Sequence, residues 1–132
     1  MSPASAAFRV VLVLEDTDHP GLLDALRRRL PMLAIRHLPD FEDAMFHLCS
    51  NLYQAAVVDI DRFGAGAGAA IGQVRRSAPR LWLLGVSARV PRDQVHAVAG
   101  SRWMPLVHPA AVARALQGQW RTWRGADAGS GS

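Results

Sequence analysis

Three stretches of this chain are apolar at every position and then stop at a polar group: Val10–Leu14 (VVLVL) before Glu15 and Asp16, Ala55–Val58 (AAVV) before Asp59, and Leu81–Val86 (LWLLGV) before Ser87. A strand with one wet face alternates apolar and polar residues, whereas a strand apolar throughout is covered on both faces. Helical spacings separate the three stretches. Buried strands that alternate with helices leave few architectures open: a parallel sheet with helices packed on each side.

Read in order, the first strand is expected over Arg9–Leu14. Asp18 and Pro20 signal a helix start, Leu22, Leu23, Leu26 and Leu30 form its apolar stripe, and Pro31 stops it. A short strand, Met32–His37, follows. Asp40 reads as the N-cap of a helix with Phe41, Ala44, Met45, Leu48 and Leu52 on one face. "AAVVDID" (Ala55–Asp61) is the third strand, and a helix through Ile71 and Val74 then runs to Ser77 and is closed by Pro79. After the fourth strand, a helix beyond Pro91 is expected to carry Val95, Val98 and Ala99. "RWMPLV" (Arg102–Val107) reads as a fifth strand, and Pro105, which cannot donate to a ladder, places it at a sheet edge. Pro109 opens the last helix, with Val112, Leu116, Trp120 and Trp123 along one side.

The expected fold is therefore α/β: a single (βα)5 doubly wound parallel five-stranded sheet, with strand order 2-1-3-4-5 if strands one and three are neighbours. Residues 1–8 read as an N-terminal tail, 9–123 as the domain, and 124–132 as a flexible linker.

Composition narrows the chemistry. At 132 residues the chain makes one domain, and Cys49, its one cysteine, allows no internal disulfide. There is no run of 18 apolar residues and no signal-peptide pattern, so a soluble, cytoplasmic protein without a membrane partner is expected. All fifteen basic residues are arginine, which excludes any mechanism that needs a lysine. Despite a net charge of +4, the basic residues are dispersed, with one short cluster at Arg27, Arg28 and Arg29. Such a cluster suits a solvated helix end, and no direct binding of nucleic acid by this domain is expected. His19, His37, His47 and His96 show no metal-ligand spacing and read as surface or packing residues.

In open parallel sheets, ligands bind at the carboxyl ends of the strands, near the switch in strand order. That is where Glu15, Asp16, Asp59, Asp61 and Ser87 fall. Two carboxylates about 4 Å apart repel by roughly 4 kcal/mol at an effective dielectric of about 20, so a compensating cation is expected. Oxygen ligands without His or Cys suit Mg2+. Asp59 could then act as a nucleophile towards a phosphoryl group, with Ser87 donating a hydrogen bond.

Through "VLVLEDTD", "AAVVDID", "LLGVSA" and "VHPAAVARAL", residues 8 to 123 resemble the receiver domains of two-component response regulators. The resemblance implies a flavodoxin-like fold in which Asp59 accepts a phosphoryl group from a sensor histidine kinase. Glu15 and Asp16 would hold Mg2+ together with Asp59 and the backbone carbonyl of Asp61. Ser87 corresponds to the switch hydroxyl and Trp103 to the switch aromatic. Where the family has a lysine followed by proline, this chain has His108-Pro109; His108 and Arg102 are the residues that could face the phosphoryl group instead. A protonated imidazole is the role that would fit His108, with an N-cap or plain surface role as its alternative. The resemblance also implies a non-enzymatic regulator, a homodimer formed through the last helices with Trp120 and Trp123 at its interface, and an output module, of a transcriptional kind, beyond residue 132.

Other readings of the same residues stay open. A degenerate receiver would serve as a dimerisation or protein-interaction module without phosphorylation. "VVDID" also fits the DxD motif of haloacid-dehalogenase-type phosphatases, although there the motif lies on the first strand. Gly64, Gly66 and Ala69 have the GxGxxA spacing of a dinucleotide-binding turn, but the acidic residue expected after the next strand is absent.

Overall fold

The computed structural model describes residues 7–63, 67–92, 96–98 and 101–130. Its strands are β1 (Phe8–Val13), β2 (Leu33–His37), β3 (Ala55–Asp59), β4 (Trp82–Val86), β5 (His96–Val98) and β6 (Ser101–Val107). Its helices are α1 (Leu22–Arg29), α2 (Phe41–Leu48), α3 (Ile60–Phe63), α4 (Ala67–Ser77) and α5 (Val112–Ser130), the last preceded by a 3-10 turn at Pro109–Ala111.

The sheet order is β2-β1-β3-β4-β6-β5. With β6 as the fifth parallel strand, this is the expected 2-1-3-4-5 order, and all four pairings within it are parallel. Val10 lies between Ile35 of β2 and Ala55 of β3, so β1 is an interior strand paired along both edges. Its alternate residues divide the core. Val10, Leu12 and Leu14 pack with Leu26 and Leu30 on the α1 side and with Val112 and Leu116 of α5. Val11 and Val13 face the other way, onto Ala44 and Leu48 of α2 and Ile71 and Val74 of α4. Each such side chain contributes about 1.5–3 kcal/mol by leaving water, so the uninterrupted apolar run is what makes a two-sided sheet stable.

Four local expectations are corrected. Val98, expected in a helix, lies in β5, which pairs antiparallel with β6; Val95 and Ala99 fall outside the described residues. The open side of β6 offers backbone partners instead. It follows that β6 is not the edge strand. Pro105 pairs with Ala97 of β5, while β6 pairs with β4 at Leu106 and Val107, so the missing amide hydrogen falls outside the parallel ladder. Leu52 is 56% exposed because α2 ends at Leu48 and the chain reverses through Asn51, whose φ of 63° is left-handed. Finally, α5 runs through Arg124 to Ser130, where a flexible linker was expected. No proline interrupts residues 124–130, and a glycine costs about 1 kcal/mol in a helix without ending it.

Candidate functional site

Asp59 is the last residue of β3 and is 2% exposed. Directly after it the chain turns into α3, so the Asp61 backbone N–H reaches back to Asp59 Oδ1 at 3.1 Å. The other carboxylate oxygen, Oδ2, accepts from His19 Nε2 at 2.7 Å. His19 arrives there because the loop after β1 winds tightly. The Glu15 carbonyl accepts from the amides of Asp18 and His19, and Gly21, with φ of 79°, then redirects the chain into α1. Both members of this pair are shielded from water, with side chains 7% and 3% exposed.

A second cluster lies beside the first. Ser87, just past β4 and 4% exposed, donates its hydroxyl to Asp61 Oδ1 at 2.6 Å, and the Ala88 amide donates to Asp61 Oδ2 at 2.9 Å. The Asp61 carboxylate therefore ties the end of β3 to the end of β4. Above it, Arg62 spans two carboxylates of the first loop, Glu15 at 3.3 Å and Asp18 at 3.2 Å. The cavity over Asp59 has a volume of about 440 Å3 and is lined by Asp18, His19, Asp59, Asp61, Arg62 and Ala88.

The fold thus brings Glu15, Asp59, Asp61 and Ser87 to one end of the sheet, as the sequence implies. Asp16 is exposed in the first loop, and its carboxylate has no partner among the described residues. His108 caps the turn before α5, its Nδ1 accepting from the Ala110 amide at 3.0 Å, which is the N-cap arrangement. Arg102 and Trp103 lie in β6, and their side chains are outside the described residues. Trp120 and Trp123 are half-buried against the core; Trp123 meets Phe8 edge to face, with ring centroids 5.1 Å apart.

Mg2+ does not fit this arrangement of side chains. Of the expected carboxylates Asp59 is turned to His19 and Glu15 to Arg62, leaving Asp16 alone open, and both carboxylate oxygens of Asp61 are occupied by donors. Among the described residues, no three His, Cys, Asp or Glu side chains are grouped to hold a metal ion. The charge on Glu15, Asp59 and Asp61 that a cation was expected to offset is met by the chain's own donors, and Asp16 is left in solvent. Those donors, His19 and Arg62, were not assigned to the site by sequence reading. A partial signal was present: His19 and Arg62 lie on the same two loops as the acidic residues they meet.

No protein-family model matches the chain, and no curated protein matches it. Among solved structures it is similar to HP1043, an orphan response regulator of H. pylori, with a TM-score of 0.61 and 11% sequence identity over 85% of this chain and 95% of that one. The likeness shows that the chain has a receiver-like fold. Among the described residues, no helix is long and apolar enough to cross a membrane.

Proposed function

We propose that this chain is a degenerate receiver: a regulatory module that keeps the receiver fold and acts through protein contact, without an aspartyl-phosphate switch. The observation that carries this reading is the state of Asp59. Its side chain is 3% exposed and has donors on both carboxylate oxygens, His19 Nε2 on one and the Asp61 amide on the other. An attacking carboxylate needs an oxygen open to the phosphoryl group and a cation to take up the charge that develops on it. Here the oxygen is covered, the sequence contains no lysine, and Ser87 spends its hydroxyl on Asp61. The module would pass its signal by docking to a partner protein or to an attached output module, for instance a transcriptional one.

A second reading, acceptance of a phosphoryl group on Asp59 from a sensor histidine kinase with Mg2+, is favoured by one feature. Asp59 closes the strand next to β1 and borders a cavity of about 440 Å3 at the ligand-binding end of the sheet. His19 would have to swing away before that chemistry could start. Beryllofluoride with Mg2+, an analogue of the aspartyl phosphate, separates the two readings when tryptophan fluorescence is followed in the wild type and in Asp59→Asn. The expected result is no saturable change in either protein. A saturable change in the wild type that Asp59→Asn abolishes overturns the degenerate reading and establishes the second.

A further inference from the structure

At the end of the sheet opposite Asp59 lies a cleft of about 820 Å3. α5 lines one side through Gln119, Thr122 and Trp123, and the segments before β3 and β4 contribute Asn51, Tyr53 and Arg80. Pockets of about 300–1,000 Å3 with aromatic walls and a few convergent polar groups are the usual form of a small-molecule site.

The walls are fixed by contacts of their own. Trp123 packs edge to face on Phe8, and the Asn51 side-chain amide donates to the Ser77 carbonyl at 3.1 Å. The Gln54 side-chain oxygen accepts from the Arg9 amide at 2.6 Å. These bonds use one end of each carboxamide. The Asn51 oxygen, the Gln54 amino group and the whole Gln119 carboxamide have no partner among the described residues.

The one charged side chain among the described residues that line the cleft is Arg80. The acidic residues from Glu15 to Asp61 all lie at the carboxyl ends of strands or in the first turn of the helix that follows, leaving Asp127 of α5 as the acidic residue nearest the cleft in sequence. Arginines in the last turns of α1 and α4 answer the negative ends of those helices. Arg80 follows α4, lines the cleft, and has neither an acidic nor a hydrogen-bonding partner among the described residues. A second guanidinium, Arg9, stands 5.7 Å from the Tyr53 ring centroid beside that wall.

We infer that this cleft binds a small anion built on a flat heteroaromatic ring, the chemistry of a mononucleotide. Arg80 meets the anionic group, Tyr53 and Trp123 provide aromatic surface for the ring, and the Asn51 and Gln119 carboxamides meet donors and acceptors on its edge. Nothing in this inference depends on how Asp59 is used.

The test is calorimetric titration of the full chain with AMP and with GMP, alongside adenosine, guanosine and inorganic phosphate as partial ligands. Saturable binding of one mononucleotide is expected. It should weaken roughly tenfold for the matching nucleoside, and by a similar factor in Arg80→Gln, the loss that goes with one charge-assisted hydrogen bond. Gln119→Ala should weaken it less. Neither side chain is buried, so both variants should melt with the wild type, which separates lost binding from lost folding. Absence of saturable binding by both mononucleotides overturns the inference, as does binding that Arg80→Gln leaves unchanged. Inorganic phosphate binding as tightly as the mononucleotide also overturns it, because the ring would then contribute nothing.

Discussion

His19 Nε2 stands 2.7 Å from Asp59 Oδ2 across forty residues of sequence, and both side chains are largely shielded from water. A buried acceptor that loses its donor bears a desolvation cost of about 1–3 kcal/mol, more than the net worth of the bond itself. His19→Ala should therefore destabilise the fold by about 1–3 kcal/mol. Asp59→Asn keeps an oxygen that can accept from the imidazole and should cost less. Urea denaturation checks both, and an unchanged midpoint for His19→Ala would show that the pair does not support the fold.

The tie between β3 and β4 makes a separate prediction. Ser87 and the Ala88 amide both serve the Asp61 carboxylate, so Ser87→Ala and Asp61→Ala remove overlapping interactions. Their effects should not add. A double-mutant cycle should return a coupling energy of about 0.5–3 kcal/mol, the range for residues in one hydrogen-bond network. Strict additivity would mean that the hydroxyl contributes nothing through Asp61.

These pairs also mark where sequence reading stops. The parallel sheet was legible because Val10–Leu14, Ala55–Val58 and Leu83–Val86 declare two-sided burial in their composition alone, and the strand order followed from placing β1 beside β3. The carboxyl-end cluster was legible for the same reason, since strand ends fix where the next residues emerge. Which donor each carboxylate takes was not legible. That depends on the loop after β1 folding His19 back over Asp59, and on Asp61 sitting in α3 with its side chain aimed at Ser87, geometry that residue type and spacing do not encode. β5 was missed because three residues carry too little periodicity to tell a strand from a helical turn.

Arg62 sits on the surface of the same cluster, and its magnitude differs accordingly. Its side chain is 44% exposed while the guanidinium bridges Glu15 and Asp18. Exposed ion pairs are worth about 0–1 kcal/mol and are screened by salt. Arg62→Gln should lower stability by no more than about 1 kcal/mol in dilute buffer, and the difference should shrink as salt is raised. Thermal melts of both proteins at low and high sodium chloride test this. A large loss that salt leaves untouched would show that Arg62 holds the loop by packing instead of by charge.

Gly85 should be among the least replaceable positions of the sheet. It lies in β4 between Val58 of β3 and Leu106 of β6, where a side chain would ordinarily strengthen a strand. A Cβ built there would stand 2.9 Å from Leu106 Cδ1, 3.0 Å from Ile60 Cγ1 and 3.2 Å from the Met104 terminal methyl. Leu106 Cδ1 and the Met104 methyl are flexible side-chain ends that could each yield alone, whereas Ile60 Cγ1 is held by the branch at its Cβ. Three closing on one point, with Met104 wholly buried, cannot all yield without opening space elsewhere. Gly85→Ala should destabilise the protein by about 1–3 kcal/mol, the cost of overpacking a filled core, and Gly85→Val by more. Shortening the nearest neighbour supplies the control. Leu106→Val removes reach at the closest contact, so the double variant should recover part of what Gly85→Ala loses, whereas Leu106→Val in the wild-type background should cost stability on its own. Urea midpoints of the four proteins decide the matter. A Gly85→Ala protein as stable as the wild type would mean that the glycine is not there for space.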